Sequence, residues 1–226
     1  MKSGGNYKEI EKWTESRKTD FEFYQKVLED VPRGEKLLDV GCGKGQFRDL
    51  LAQFDYSGFD IDHNEWVKFQ GDFTKEFPIP SESHDIVMLS NVLEHTHSPQ
   101  LMVNEAFRVL KKGGLVVGSV PFYAEVHEIP NDFLRYTYIM LEKIFKEAGF
   151  EVEITPLGTP LGDYKWSQEK LFSQLRNARL PRLKRYMFQL FSFLSKKQND
   201  IFSEVLSTPK QSLIYARRYG FVAKKW

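Results

Sequence analysis

Three glycines at alternate positions, Gly41, Gly43 and Gly45, form a segment suited to holding a small cofactor. They follow an apolar run that ends at Val40, and glycine there allows a sharp turn and a close approach of the backbone to a ligand. The third glycine comes one residue too early for the dinucleotide-binding pattern G-x-G-x-x-G. By itself, the loop therefore leaves the class of cofactor open.

Aspartates at the ends of predicted strands narrow the choice of ligand. Asp60 can accept both hydroxyl groups of a ribose, as an acid about 20 residues after the glycine loop does in NAD enzymes. Asp39 brings negative charge to the place where a pyrophosphate would have to lie, so it favours a ligand that is positively charged there. An ammonium together with a sulfonium meets that requirement. Asp72, in Gly71-Asp72-Phe73, is a third acid of this kind.

The spacing of apolar residues predicts alternating strands and helices. An amphipathic helical region over Tyr7–Asp30 comes first. Strands are predicted at Lys36–Val40, Tyr56–Phe59, Asp85–Leu89, Leu115–Val120, Glu151–Thr155 and Ser212–Tyr219, with a continuation of the last one to Ala223 left open. Helices are predicted at Phe47–Phe54, Leu101–Leu110 and Leu134–Ala148, with Gly113 and Gly149 as left-handed caps after the last two. This order predicts an open, mostly parallel sheet covered by helices on both faces, with ligands beyond the carboxyl ends of its strands.

Composition argues against several classes of protein. The 226 residues are 41% hydrophobic, enough for one domain with a full core and an appended element. With 32 basic and 31 acidic residues the formal net charge is +1, so nucleic acid is not expected as a partner. The sequence has a single cysteine, no apolar leader segment and no apolar run near the roughly 20 residues of a bilayer crossing. We therefore expect a cytoplasmic protein without a transmembrane segment.

Over about Lys36–Phe150 the sequence resembles the class I S-adenosylmethionine-dependent methyltransferases. The segments that carry the resemblance are Leu37–Gly45, Gly58–Ile61, Gly71–Phe73, His84–Val87 and Arg108–Gly114. The resemblance implies a Rossmann-like α/β fold with a seven-stranded, mostly parallel sheet whose last strand is antiparallel. Asn91-Val92-Leu93-Glu94-His95 looks like the small-molecule, methyltransferase type 11-like branch, which includes ubiquinone-pathway O-methyltransferases. The segment from His127 to Thr137 is similar to members encoded near polysaccharide or cell-surface glycan pathways.

The resemblance also implies S-adenosyl-L-methionine as the cofactor and assigns residues to its parts. In this family the equivalents of Asp39 and the glycines hold the methionine portion, the equivalent of Asp60 holds the ribose, and that of Asp72 with its neighbour contacts the adenine. The cofactor-binding residues expected on this basis are Asp39, Gly41, Cys42, Gly43, Gly45, Asp60, Ile61, Asp72, Phe73 and Asn91.

Methyl transfer is an in-line displacement at a sulfonium carbon, so alignment of donor and acceptor contributes most, up to ~7–11 kcal/mol. A hydroxyl acceptor must also lose a proton. His127 is the expected general base and His95 the alternative, while a pocket-lining role without proton transfer also explains His127. His127, Arg135 and Tyr136 are expected to contact the acceptor, although Arg135 could instead pair with Asp132.

The sequence therefore predicts methyl transfer to a small-molecule or glycan-type acceptor, with oxygen as the expected acceptor atom. A catalytically silent cofactor-binding or scaffold protein is the first alternative, and an NAD-type oxidoreductase is the second. No metal site is expected, because the spacing of Glu94, His95 and His97 fits no closed zinc pattern.

The stretch from Leu161 to Leu206 is too long for an ordinary loop and is predicted to be a helical cap. Within it, residues 171–197 mix aromatic and basic side chains, which suits a cover over the acceptor pocket, a homodimer face or, less readily, a peripheral contact with anionic lipid. The predicted domains are an N-terminal helical lid (1–34), a cofactor-binding core (35–160), the cap insertion (161–206) and a C-terminal strand that completes the sheet (207–226).

Overall fold

A computed structural model of the chain describes residues 13–158, 213–214 and 216–226. The chain divides into two compact units, Met1–Leu157 with Arg218–Trp226, and Gly158–Arg217. The first unit contains the sheet. The predicted cap insertion, its aromatic and basic segment 171–197 and the first residues of the predicted N-terminal helix lie outside the described residues.

The first unit alternates strands and helices as the apolar spacing predicts. Its elements in chain order are α1 (Glu15–Leu28), β1 (Lys36–Val40), α2 (Arg48–Leu51), β2 (Asp55–Asp60), β3 (Val67–Gln70), β4 (His84–Ser90), a 3₁₀ turn (Leu93–His95), α3 (Pro99–Val109), β5 (Leu110–Pro121), α4 (Tyr138–Glu147), β6 (Glu151–Leu157) and β7 (Arg218–Lys224). Among the described residues, none of the helices combines the length and the apolar character that a membrane span requires.

All seven strands belong to one sheet, in the order β3-β2-β1-β4-β5-β7-β6. The pairs from β3 to β5 are parallel, and β7 runs antiparallel to both β5 and β6. The predicted α/β fold, with a mostly parallel sheet and an antiparallel last strand, is confirmed. Because β1 to β5 run in the same direction, their carboxyl ends share one edge, where ligands of such sheets bind.

The core lies on both sides of this sheet because successive residues of a strand point to opposite faces. On one face Leu37, Ile86 and Met88 pack with residues of α1 and α2, among them the fully buried Tyr24 and Leu51. The next residues along the strands, such as Leu38 and Val87, are also fully buried. Both faces are therefore covered, which explains why the central strands β1, β4 and β5 contain continuous apolar runs rather than alternating ones.

Two helices begin at side-chain caps that the sequence provides. The hydroxyl of Thr14 accepts a hydrogen bond from the backbone N–H of Arg17 at the start of α1, and that of Thr137 accepts one from Met140 at the start of α4. Such caps satisfy backbone donors that the first helical turn leaves unpaired. Gly149 has φ +95° directly after α4, which confirms the predicted left-handed cap.

Besides shifts in helix bounds, such as the start of α4 at Tyr138 rather than Leu134, three local predictions differ from the structure. β3 was not predicted because it is a short edge strand with alternating half-buried residues and no apolar run. The strand predicted at Ser212–Tyr219 is wrong in its bounds, since β7 begins at Arg218, where the chain pairs with β5 and β6 on both sides. Gly113 is not a helix cap, because α3 ends at Val109 and Gly113 already lies in β5.

A buried ion pair joins the first helix to the last strand. The guanidinium of Arg218 donates two hydrogen bonds to the carboxylate of Asp20, at 3.1 and 2.8 Å. The same guanidinium donates to the hydroxyl of Ser119 and to the amide oxygen of Asn91, and the amide nitrogen of Asn91 donates to Asp20. Tyr24 bonds to Ser119 as well, at 2.7 Å. The network therefore links α1, the carboxyl ends of β4 and β5, and β7.

Substitution of Asp20 by asparagine should destabilise the protein by about 3–5 kcal/mol, because it leaves the buried Arg218 without its counter-charge. The exposed pair of Glu15 and Lys18 in the same helix provides a matched control. Glu15→Gln should cost no more than ~1 kcal/mol, since solvent screens that pair. Urea denaturation measures the free energy of unfolding of both variants. An equal decrease in the two would contradict the prediction that the buried pair stabilises the protein more than the exposed pair.

Candidate active site

The glycine loop crosses the carboxyl end of β1 with three positive φ angles, +68° at Gly41, +51° at Gly43 and +66° at Gly45. A Cβ atom at Gly41 would lie 2.6 Å from Val92 Cγ2, and one at Gly45 would lie 3.2 Å from the Trp66 ring. Among the described residues, no atom lies within 4 Å of a Cβ built on Gly43. Packing thus excludes a side chain at Gly41 and crowds one at Gly45, whereas Gly43 borders open space that a ligand can enter.

Asp60 connects the end of β2 to this loop. One of its carboxylate oxygens accepts the backbone N–H of Gly43 at 2.8 Å, and the other accepts that of Asp62 at 3.1 Å. The residue is 8% exposed. Since each carboxylate oxygen can accept more than one hydrogen bond, both oxygens retain the capacity to accept further donors.

Asp39 lies on β1 just before the loop and is 6% exposed. Its carboxylate accepts a hydrogen bond from the hydroxyl of Tyr56 at 2.9 Å. Burial, with a smaller contribution from the negative charge of Asp60, raises the pKa of Asp39 to about 7 against the opposing effect of the Tyr56 hydrogen bond. A cationic group placed beside this carboxylate would therefore be attracted to it and would favour its ionised form.

The remaining predicted cofactor residues of β2 and β3 follow the same edge. Asp72 comes two residues after β3 and accepts hydrogen bonds from the backbone N–H and the hydroxyl of Thr74, at 2.9 and 2.6 Å. These bonds, aided by Lys75 at 3.1 Å, hold the pKa of Asp72 below its usual value. Ile61 follows Asp60 with 54% of its surface exposed, and Phe73 is half-buried.

Two predicted cofactor residues have side chains that are already engaged within the protein. Cys42 is 5% exposed, and a Cβ atom on Gly58 would lie 2.8 Å from its sulfur, so the thiol packs against β2. Burial raises the pKa of this thiol to about 12. The amide of Asn91 bonds to Asp20 and Arg218. Their backbone N–H groups are also used within the protein, since Cys42 donates to the carbonyl of Phe59 and Asn91 to that of Ser119.

A second group of side chains lies after β4 and β5, the next strands along the edge. Glu94 and His95 belong to the 3₁₀ turn, and His127 lies in the loop after β5. The Nε2 atoms of His95 and His127 lie 3.9 and 4.0 Å from Glu94 Oε1. Glu94 is fully buried, while the side chains of His95 and His127 are 13% and 38% exposed. The three residues therefore form one cluster that solvent reaches from the histidine side.

Backbone contacts hold the two segments of this cluster together. The carbonyl of Glu94 accepts the N–H groups of Phe133 and Leu134, at 2.9 and 3.2 Å. The hydroxyl of Tyr136 donates to the carbonyl of Leu93 at 2.7 Å. The loop that carries His127 is thus anchored on the turn that carries Glu94 and His95.

Arg135 and Asp132 stabilise the loop from within. Arg135 donates to both oxygens of Asp132, at 2.5 and 2.7 Å, and to the backbone carbonyl of Glu125. The same carboxylate accepts the backbone N–H of His127 at 2.8 Å. The Arg135 guanidinium holds the pKa of Asp132 well below its usual range. Of the two roles considered for Arg135, the structure shows the pair with Asp132.

The structure changes the grouping of acceptor-site residues that the sequence suggested. Tyr136 is 2% exposed and its hydroxyl is used by Leu93, so it supports the 3₁₀ turn from behind. His97 stacks on Phe133, with ring centroids 3.7 Å apart, and does not join Glu94 and His95. His127 takes that place, which spacing along the chain could not reveal. Burial raises the pKa of Glu94 to about 8, and sequence reasoning had assigned this carboxylate no role of its own.

Comparison with known proteins places these features in a family. A family model described as a methyltransferase domain matches residues 13–154, more than half of the chain. A probable S-adenosylmethionine-dependent methyltransferase of Mycolicibacterium smegmatis is 30% identical over 139 residues, 54% of each chain. An uncharacterized methyltransferase of Mycobacterium leprae is 38% identical over 101 residues, 39% of this chain and 38% of that protein. The chain thus spans about half the length, or less, of these curated relatives.

Solved structures share the fold. The [4+2]-cyclase SpnF superimposes with a TM-score of 0.57 at 17% identity, covering 91% of this chain and 81% of that chain. A SAM-dependent methyltransferase from Archaeoglobus fulgidus gives 0.56 at 16% identity, covering 92% and 94%. The same family is indicated by the glycine loop, by the acids at successive strand ends, by the strand order and by the matched domain. The chain belongs to the class I S-adenosylmethionine-dependent methyltransferase family.

Proposed function

We propose that this protein transfers the methyl group of S-adenosyl-L-methionine to an oxygen atom of a small-molecule or glycan-type acceptor. The observation that supports this most directly is the electrostatic character of the crevice at Gly43. Asp39 and Asp60 lie on either side of the glycine loop, and Asp39 is buried with a raised pKa. Such a crevice repels a diphosphate and attracts a cationic ligand.

We expect the donor to lie in this crevice in one orientation. Asp60 would accept the ribose hydroxyls beyond the end of β2, while Asp39 and the loop would face the ammonium and the sulfonium. Asp72 and Phe73, after β3, would border the adenine, and the exposed Ile61 would cover one face of it. The methyl group would then point towards β4 and β5, because those strands continue the edge on the other side of β1.

The acceptor would lie beside Glu94, His95 and His127, which are the polar side chains grouped at that end of the edge. His127 is half-exposed, and its Nδ1 faces the backbone carbonyl of Glu125 and the carboxylate of Asp132, at 3.2 Å each. Its Nε2 is therefore the nitrogen free to accept a proton from an acceptor hydroxyl, with His95 as the alternative. The oxygen would attack the methyl carbon as the bond from carbon to sulfur breaks.

Calorimetric titration with S-adenosylhomocysteine and with NADH tests the donor assignment. We expect saturable binding of the first ligand and none of the second. Transfer of labelled methyl groups to a panel of sugar, nucleotide-sugar and phenolic acceptors then tests the reaction class. Binding of NADH in preference to S-adenosylhomocysteine would reject the proposed function.

Substitution of Asp60 by asparagine should weaken binding of S-adenosylhomocysteine about 10–100-fold. The variant loses a charged acceptor for the ribose hydroxyls, and hydrogen bonds to charged groups contribute ~1.5–3 kcal/mol each. Asp62→Asn is the matched control, because it makes the same change at an exposed neighbour. Titration calorimetry measures both affinities, and an equal effect at Asp62 would indicate a general charge effect rather than ribose recognition.

The raised pKa of Asp39 predicts that donor binding depends on pH. Below about pH 7 this carboxyl is protonated in the free protein, whereas a bound ammonium favours the carboxylate. Binding should therefore release a proton, and affinity should fall by up to about tenfold per pH unit below 7. Calorimetry at pH 6.5 in buffers of different ionisation enthalpy measures the proton release. Asp39→Asn should abolish it, and an unchanged release in that variant would exclude Asp39 as the responsible group.

A further inference from the structure

The hydrogen bonds of the two imidazoles beside Glu94 indicate which ring nitrogen of each carries the proton. Nδ1 of His95 lies 2.7 Å from the backbone carbonyl of Asn131, and a carbonyl can only accept, so this nitrogen carries the proton. Nδ1 of His127 likewise faces two acceptors, the carbonyl of Glu125 and the carboxylate of Asp132. In the neutral rings both Nε2 atoms therefore present a lone pair, and they lie 3.9 and 4.0 Å from Glu94 Oε1.

Glu94 makes this cluster unusual. Its side chain is fully buried, and within the part of the chain that the structure describes neither of its oxygens has a hydrogen-bond partner in another residue. A buried carboxylate without a partner carries a large desolvation cost. A proton shared with an imidazole does not remove that cost, because 3.9 and 4.0 Å are too long for a hydrogen bond. Three electron-pair donors thus face one another across a gap.

We propose that Glu94, His95 and His127 bind one divalent transition-metal ion. Their ligand atoms all lie within 4.8 Å of one another. Ligand atoms held at ~2.0–2.2 Å from an ion in tetrahedral geometry are about 3.4 Å apart. Small side-chain rotations that move each ligand atom by about 1 Å or less would therefore complete the site. Two imidazoles and one carboxylate form a ligand set that catalytic metal centres use, with coordination positions left open for a substrate.

The surroundings support a cation rather than a neutral occupant. The positive charges of Arg135 and Arg218 are each paired, with Asp132 and Asp20 respectively. The ionised cluster then carries one uncompensated negative charge, on Glu94. Each histidine also donates a hydrogen bond from its Nδ1–H to a protein acceptor, and metal-binding imidazoles usually make such a bond with the ring nitrogen that does not bind the metal.

The ligand types indicate which ions fit. Imidazole nitrogen suits zinc, iron and the neighbouring first-row metals, whereas magnesium and calcium prefer an all-oxygen environment. We therefore expect Zn²⁺ and Mn²⁺ to bind and Mg²⁺ to bind much more weakly. The sequence indicated no metal site because His127 is remote in sequence from the Glu94-His95 pair, and the fold joins them by placing β4 beside β5.

If the proposed function holds, a metal ion at this site would activate the acceptor hydroxyl. An acceptor hydroxyl that binds the ion has a lowered pKa and gives its proton to solvent. Its oxygen lone pair forms the new bond to the methyl carbon, the bond to sulfur breaks, and S-adenosylhomocysteine leaves with that electron pair. With the ion bound, His127 would act as a ligand, and this role would replace the general-base role given to it under the proposed function.

Metal titration of the untagged, chelator-treated protein tests the proposal. We expect one Zn²⁺ per chain by competition with a chromogenic chelator, one Mn²⁺ by loss of the free-ion paramagnetic resonance signal, and visible absorption bands on addition of Co²⁺. His127→Ala and Glu94→Gln should each weaken Zn²⁺ binding at least ~10–100-fold. His97→Ala is the control and should change nothing, because His97 stacks on Phe133 outside the cluster.

Binding of S-adenosylhomocysteine to each variant serves as the test of folding, and we expect it to be retained. No saturable binding of Zn²⁺ or Mn²⁺ by a protein that binds S-adenosylhomocysteine would overturn the metal site and leave the proposed function standing. Zn²⁺ binding that is unchanged in both His127→Ala and Glu94→Gln would also overturn it. Failure to bind S-adenosylhomocysteine at all would instead reject the proposed function.

Discussion

The buried pair of Arg218 and Asp20 is the interaction on which the functional edge of the sheet depends. Arg218 belongs to the last strand, Asp20 to the first described helix, and both bond to Asn91 at the end of β4. Asn91 has φ +52°, and the 3₁₀ turn with Glu94 and His95 begins two residues later. The charge pair between the first described helix and the last strand therefore also holds the segment that contains the proposed acceptor site.

The donor and acceptor halves of the proposed site are built differently, but each contains a buried carboxylate. The donor half consists of a backbone loop with acids at the ends of β1 and β2. The proposed acceptor half consists of side chains after β4 and β5, which loop carbonyls and the pair of Asp132 and Arg135 hold in place. In both halves a buried carboxylate, Asp39 or Glu94, has a raised pKa because burial disfavours its charge. Each is therefore a place where a cation is stabilising.

Sequence reasoning was most informative where function depends on local geometry. The glycine loop, Asp39 and Asp60 are recognisable because a turn after a strand needs residues without side chains and because acids at strand ends reach the same edge. It was least informative for the loop after β5. Arg135 was a candidate for binding the acceptor, yet its guanidinium is used in full by Asp132 and nearby carbonyls. Which of several polar neighbours a side chain selects depends on the folded path of the backbone.

The sequence by itself determined the fold class, the order of strands and helices apart from β3, the placement of the glycine loop and the acidic character of the proposed donor crevice. These follow from short-range patterns, since burial on both faces of a strand and the turn at its end are written in adjacent residues. Only the tertiary structure decided that His127, and not His97, joins Glu94 and His95. That grouping arises because parallel pairing brings the ends of β4 and β5 together. The separation of residues along the chain does not predict such a contact.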